Sequence, residues 1–196
     1  MIKTRFAPSP TGWLHIGGVR TALYSWLYAK KNNGKFYLRI DDTDTTRSTD
    51  EYKNSIISAL TQLGLKHDDE ITYQSNRFDH YIDKIEELLN KDMAYYDKVE
   101  VNEKTKETDL SVQYENRLNK EGYVIRFKNQ KESSVTISDS VHGEITFDPK
   151  VFFDVVILRS NGVPTYNLTS VVDDIDLGIT HLISCLLYTS PSPRDH

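Results

Sequence analysis

Residues Arg5-Phe6-Ala7-Pro8-Ser9-Pro10-Thr11-Gly12-Trp13-Leu14-His15-Ile16-Gly17-Gly18 bring a basic side chain, a stiff Pro/Ser loop, a histidine and paired glycines into one short stretch. The chemistry this set suits is anion binding. Gly17 and Gly18 let the backbone approach a ligand, a helix start there offers free N–H groups and the positive end of its dipole, and His15 can donate to a phosphate oxygen. A His-x-Gly-Gly tetrapeptide alone is a weak signal, because paired glycines more often only make turns. Position gives it weight: in open parallel sheets ligands bind outside the carboxyl ends of the strands. Charge points the same way. Residues 1–48 hold eight Lys and Arg against three Asp, a local balance of 8 − 3 = +5, and the remainder holds −10 of the total −5. Windows of this size fluctuate by as much in many proteins, so the excess permits an anionic ligand without requiring one.

The elements that must position these residues follow from pattern. Ile2–Phe6 reads as a strand that ends in Ala7-Pro8-Ser9-Pro10-Thr11-Gly12, where two prolines fix φ. From Gly17, the spacing of Val19, Leu23, Trp26, Leu27 and Ala29 predicts a helix that stops at Asn32-Asn33-Gly34. Lys35–Ile40, with Phe36, Leu38 and Ile40 alternating, is a second strand, and the strand–helix–strand unit predicts a parallel sheet. Ser48 and Glu51 suggest a capping box for a helix running to Gly64, and a further helix covers Arg77–Lys91. Beyond Met93 the pattern changes to a polar stretch at Asp97–Thr108, a helical piece at Asp109–Lys120, and β-like runs at Tyr123–Phe127, Ser134–Ile137, Glu144–Phe147 and Val155–Leu158. Pro164–Asp174 is expected to be a helix and Thr180–Ile183 a return strand. The fold class is therefore α/β, a Rossmann-like parallel sheet with an α+β insertion.

The 196 residues are 38% hydrophobic and 27% charged, an ordinary globular composition that needs no disulfide or metal for stability. No long apolar run suggests a membrane span or secretory leader. The single cysteine, Cys185, allows neither an internal disulfide nor a zinc cluster, which points to a reducing, cytoplasmic setting. The segment from Ser184 onward, closing in a Ser/Pro run, reads as a disordered tail.

The opening Arg-Phe-Ala-Pro-Ser-Pro-Thr-Gly-x-Leu-His-Ile-Gly-Gly resembles the signature of bacterial-type glutamyl-tRNA synthetases, class I enzymes with a Rossmann-like catalytic domain. Further matches follow in the family's order: Leu38-Arg39-Ile40-Asp41-Asp42-Thr43-Asp44 with Arg47-Ser48, Tyr123–Lys128, Val156–Gly162, Pro164-Thr165-Tyr166-Asn167, Val172-Asp173-Asp174 and Thr180-His181. The resemblance covers nearly all of residues 2–183. It implies a first half of the catalytic domain at 1–92, a connective insertion that grips the tRNA acceptor end at 93–155, the start of the second catalytic half at 156–183, and a non-family tail at 184–196.

It also implies roles. His15, Gly17 and Gly18 look like the class I ATP signature, catalytic through charge developing at the α-phosphate, with Pro8 and Ser9 completing the ATP contacts. Arg5, Ala7, Ser9, Asp41 and Tyr166 look like the glutamate pocket, with Arg5 taking a carboxylate and Asp41 the ammonium. From the residues alone, Arg5 could instead make a surface ion pair, Asp41 could belong to a turn, and Tyr166 could be a core aromatic. Asp173 and Asp174 read as architecture at a helix end. ATP with magnesium, L-glutamate and tRNA(Glu) are the implied ligands of a monomer, and no zinc or other protein-bound metal is expected.

The departures matter too. Asp41 stands where bacterial members usually have Glu, and Ser184 stands where an arginine is expected to help bind substrate. The lysine-containing loop and anticodon-reading domain of the family do not follow, so the polypeptide as written is expected to be a poor ligase. Competing readings are a paralogue that glutamylates a modified base of tRNA(Asp), a small-molecule nucleotidyltransferase, and a non-catalytic nucleotide- or tRNA-binding remnant.

Overall fold

A computed structural model of the chain describes residues 1–99, 113–129 and 134–184. They form two compact units: one of residues 1–78 with the described residues from Thr169 on, the other Asp79–Leu168. Residues Asp79–Asn90 of the helix Phe78–Asn90 and strand Val156–Leu158, both expected in the catalytic domain, thus share a unit with the insertion strands.

In the first unit, β1 (Lys3–Phe6), α1 (Ile16–Lys31), β2 (Lys35–Ile40), α2 (Asp50–Gln62) and the short β3 (Thr72–Tyr73) follow in order, then a 3-10 turn at Gln74–Arg77. The sheet order is β1-β2-β3, and both pairings are parallel. The expected parallel sheet is present, and β2 is its central strand. Alternation sends Phe6, Phe36, Leu38 and Ile40 into one core with Ala22 and Ala29 of α1 and Ile56 and Leu60 of α2. The other face carries Arg5 and Arg39, which meet the helix α4 (Tyr166–Leu177) from its part in this unit, Thr169 onward.

Local chemistry sets the helix ends. Lys30 and Lys31 in the last turn of α1 oppose its negative end. Helix α2 is capped by Thr49, whose Oγ accepts from the Tyr52 amide at 3.2 Å, and not by Ser48 as the sequence suggested. Glu51 then lies one position too early for a capping box, although Asp50 and Glu51 still complement the dipole. The expected return strand at 180–183 is absent. Thr180 and His181 both donate to the single carbonyl of Lys3, at 2.9 and 3.2 Å, so no alternating ladder develops.

The second unit is α3 (Phe78–Asn90, from Asp79), an antiparallel sheet in the order β4 (Ala94–Lys98), β5 (Tyr123–Phe127), β8 (Val156–Leu158), and a hairpin of β6 (Val135–Asp139) with β7 (Gly143–Phe147). Strand β4 begins before, and overlaps, the stretch read as polar, because Tyr95, Tyr96 and Asp97 pair with β5 and Arg126 donates to Asp97 at 2.6 Å. The expected helix at 109–120 is not helical over 113–120. There Tyr114 donates to the Asn161 carbonyl, and the Asn116 amide bridges the Tyr114 and Gly162 carbonyls. Residues 109–112 of that expectation, most of the polar stretch, Cys185 and the rest of the tail lie outside the described residues. Among the described residues no helix is long and apolar enough to cross a membrane.

Candidate active site

The turn from β1 into α1 bounds a cavity of about 190 Å³ lined by Pro8, Ser9, Trp13, His15, Gly17 and Gly18 with apolar neighbours. Two backbone bonds brace its rim: Asp41, just past β2, donates to the Pro8 carbonyl at 2.9 Å, and Thr11 donates to that of Ser9 at 2.9 Å. The loop thus lies across the carboxyl ends of adjacent parallel strands.

His15 is the N-cap of α1. Its Nδ1 accepts from the Gly17 amide at 3.1 Å, an unusual use of a position that favours Ser, Thr, Asp or Asn. An amide can only donate, so Nδ1 carries no proton and the neutral ring holds its hydrogen on Nε2. The cap therefore selects the tautomer that offers a donor from the far side of an exposed ring. Both glycines sit close to neighbouring side chains that an added methyl group would have to displace. A Cβ at Gly17 would meet the imidazole at 3.0 Å, and one at Gly18 would meet Leu14 Cδ1 at 2.7 Å.

On the opposite face of the sheet lies a charged cluster. Arg39, fully buried, donates from Nε and Nη2 to the two oxygens of Asp41 at 2.6 and 3.1 Å. Its Nη1 donates to Asp174 Oδ1 at 2.8 Å and to the Ser170 carbonyl at 3.3 Å. Arg5 donates from Nε and Nη2 to the oxygens of Asp174, both at 3.0 Å. Asp173, also fully buried, accepts from Gln74 and Arg77 at 2.9 Å each, and Arg77 also pairs with Asp176. Burial pushes the Asp41 carboxyl up to about 6 against the opposing pull of Arg39 and Arg5. Burial works against the Arg39 charge as well, but Asp41, Asp174 and Asp173 together hold that guanidinium above its ordinary range. The cation faces three carboxylates, whereas Asp41 is hydrogen-bonded by Arg39 alone, feels Arg5 only at a distance, and feels the like charge of Asp173.

The structure brings together five of the sequence-predicted residues, Pro8, Ser9, His15, Gly17 and Gly18, around one cavity. Arg5 and Asp41 lie on the other face, each already engaged, and the Asp41 side chain is only 2% exposed. Ala7 is half-buried in the loop between them. Tyr166 opens α4, exposed, in the second unit, and Ser184 is exposed at the end of the described residues. Sequence reasoning passed over Arg39 and Asp42. Asp42 is buried and accepts from the Ser75 amide and hydroxyl at 2.8 Å each, and from Lys53 at 2.7 Å. A signal existed: an arginine in a central strand, followed closely by acids, must be compensated where it is buried. Among the described residues no three His, Cys, Asp or Glu side chains converge on a metal position.

Comparison with known proteins accords with this geometry. The family described as "tRNA synthetases class I (E and Q), catalytic domain" matches residues 1–195. The glutamate–tRNA ligase of Francisella tularensis subsp. novicida is 48% identical over 197 aligned positions, covering 93% of this chain and 42% of the relative. Glutamate–tRNA ligase 1 of Nitrosococcus oceani is 44% identical, covering 98% of this chain and 44% of the relative. The crystal structure of a glutamate tRNA ligase from Elizabethkingia meningosepticum in complex with its amino acid superposes with a TM-score of 0.76 at 34% identity, over 92% of this chain and 43% of that one. The chain thus spans less than half the length of these relatives. Over that span the signature loop, the parallel sheet and the charged strand end carry one conclusion: the chain belongs to the class I tRNA synthetases (E and Q) by their catalytic domain.

Proposed function

We propose that the chain is the ATP- and glutamate-binding portion of a cytoplasmic, monomeric glutamate–tRNA ligase, which activates L-glutamate and passes it to the 3′ end of tRNA(Glu). The observation that carries the reading is the His15 cap. It joins a free Nε2–H donor to the N-terminus of α1, beside the cavity lined by Pro8, Ser9, Gly17 and Gly18. In the first step an oxygen of the glutamate α-carboxylate attacks the α-phosphorus of ATP. The new P–O bond forms as the bond to pyrophosphate breaks, leaving glutamyl-adenylate. His15 Nε2–H and the amides at the start of α1, other than that of Gly17, would meet the charge that grows on the phosphoryl oxygens. Arg5 keeps Nη1 beside its Asp174 pair, and a guanidinium edge of this kind matches a carboxylate. In the second step a hydroxyl of the terminal adenosine attacks the activated carbonyl and AMP leaves. Magnesium enters this reading with the ATP phosphates, since the donors around the cavity include no carboxylate.

The test is calorimetric titration of the 196-residue protein with ATP and, separately, L-glutamate. ATP is expected to bind the wild type. Arg5→Ala is expected to weaken L-glutamate by about tenfold or more, the scale of one charge-assisted fork, while leaving ATP within about twofold. A folded sample that binds no ATP overturns the reading, and equal losses for both ligands reject the assignment of Arg5.

A further inference from the structure

We propose that Asp174 is the positioning residue of the amino-acid site, holding Arg5 by one edge so that its other edge is kept for the substrate carboxylate. The inference rests on the glutamate-binding reading above. A guanidinium has two forks that can each grip a carboxylate, Nε with Nη2 and Nη1 with Nη2. Asp174 occupies the first completely, with both bonds at 3.0 Å, and no described residue takes Nη1. An incoming carboxylate can therefore meet Arg5 from one side only. Both partners are largely withdrawn from water, at 15% and 18% side-chain exposure, so the pair is screened less than a surface ion pair.

The same carboxylate reaches further. Asp174 Oδ1 also accepts from Arg39 Nη1 at 2.8 Å, and Arg39 in turn clamps both oxygens of Asp41. Asp174 is thus the shared anchor of the site's cation and, through Arg39, of its anion. Its own place is set by α4, where the Ser170 carbonyl, one helical turn earlier, takes the same Arg39 nitrogen. The adjacent Asp173 is no substitute, being turned to Gln74 and Arg77. The tandem acids, read from sequence as helix-end architecture, divide into a brace of the fold and a brace of the site.

The experiment compares wild type, Asp174→Asn and Asp174→Glu by titration with L-glutamate and with ATP, and by the nitrogen-15 resonances of arginine Nε–H groups without ligand. Asp174→Asn is expected to weaken L-glutamate by about tenfold or more, to leave ATP within about twofold, and to expose the Arg5 Nε–H to solvent exchange while that of Arg39 stays protected by Asp41. Asp174→Glu keeps the charge but moves it by a methylene. It is expected to fold like wild type and to lose part of the L-glutamate affinity. A wild type that takes ATP but no L-glutamate removes the underlying reading and the inference with it. Wild-type binding of L-glutamate that persists undiminished in both variants, or falls in step with ATP, leaves that reading standing and overturns the role of Asp174.

Discussion

The two faces of the β1-β2-β3 sheet are made from alternate residues of the same strands and are held in opposite ways. Phe6, Phe36, Leu38 and Ile40 face α1 and α2, where stabilisation is spread over area and shared among many contacts. Arg5 and Arg39 face α4, where it is concentrated in a few charge pairs whose members are largely withdrawn from water. A face of the first kind tolerates small changes, because removing a methyl group loses only that group's burial and a small void. A face of the second kind does not, because removing one partner strands the other. The candidate ligand groups draw on both: Phe6 and Ile56 of the apolar side line the His15 cavity, and the Arg5 fork belongs to the charged side.

Paired substitutions at neighbouring positions test that contrast most strongly. Arg39→Met is expected to destabilise the protein by about 3–5 kcal/mol, since it leaves Asp41, Asp173 and Asp174 without their shared buried cation. Ile40→Val, one position along β2, is expected to cost about 0.5–1.5 kcal/mol. Urea denaturation of the two variants measures both, and equal costs would erase the distinction between the faces.

A smaller effect sharpens the charged side through pH. The Asp41 carboxyl in the folded protein sits above its unfolded value, so the native state holds its proton more tightly. Its contribution is therefore full below about pH 4 and is lost as pH rises through about 6. The loss is on the order of 2–3 kcal/mol from a displacement of that size. Asp68 has the opposite sign. Partial burial would raise it, but Lys30 and the Phe36 amide hold it below the ordinary range, so its contribution is fully present above about pH 4 and is lost as pH falls below that. Stability curves for wild type and Asp41→Asn between pH 4 and 7 should differ by a term that falls with pH and levels off above 6. A difference that is flat or rises would contradict the cost of burying Asp41.

The smallest expected effect separates the two duties of His15. His15→Ala removes the α1 cap and should cost about 1 kcal/mol in stability together with ATP affinity. His15→Asn supplies a good cap without the Nε2–H donor. It should return stability to within about 0.5 kcal/mol of wild type while ATP affinity stays low. Recovery of both by Asn would reduce His15 to a cap.

Legibility in the sequence followed the range of the interaction that decides each feature. The β1-α1-β2 unit could be read because strand alternation and helical spacing are local patterns, and β2 begins and ends at the residues the alternation of Phe36, Leu38 and Ile40 indicated. The His15, Gly17 and Gly18 turn could be read for the same reason, since cap, helix start and close approach lie within a few positions. Strand β3 has two residues and so no period to detect, and Tyr95-Tyr96-Asp97-Lys98 became strand only through its pairing with β5.

The sequence by itself determined which side chains could bind an anion and which strand ends would present them. Only the tertiary structure decided which of those charges are engaged with one another. Arg39 and Asp174 are 135 residues apart, and Arg5 and Asp174 are 169 apart. Their pairing exists because α4 packs on the charged face of β1 and β2. Charge pairing depends steeply on separation and burial, which no local pattern encodes, so an arginine that reads as free in the sequence is held by one fork in the fold.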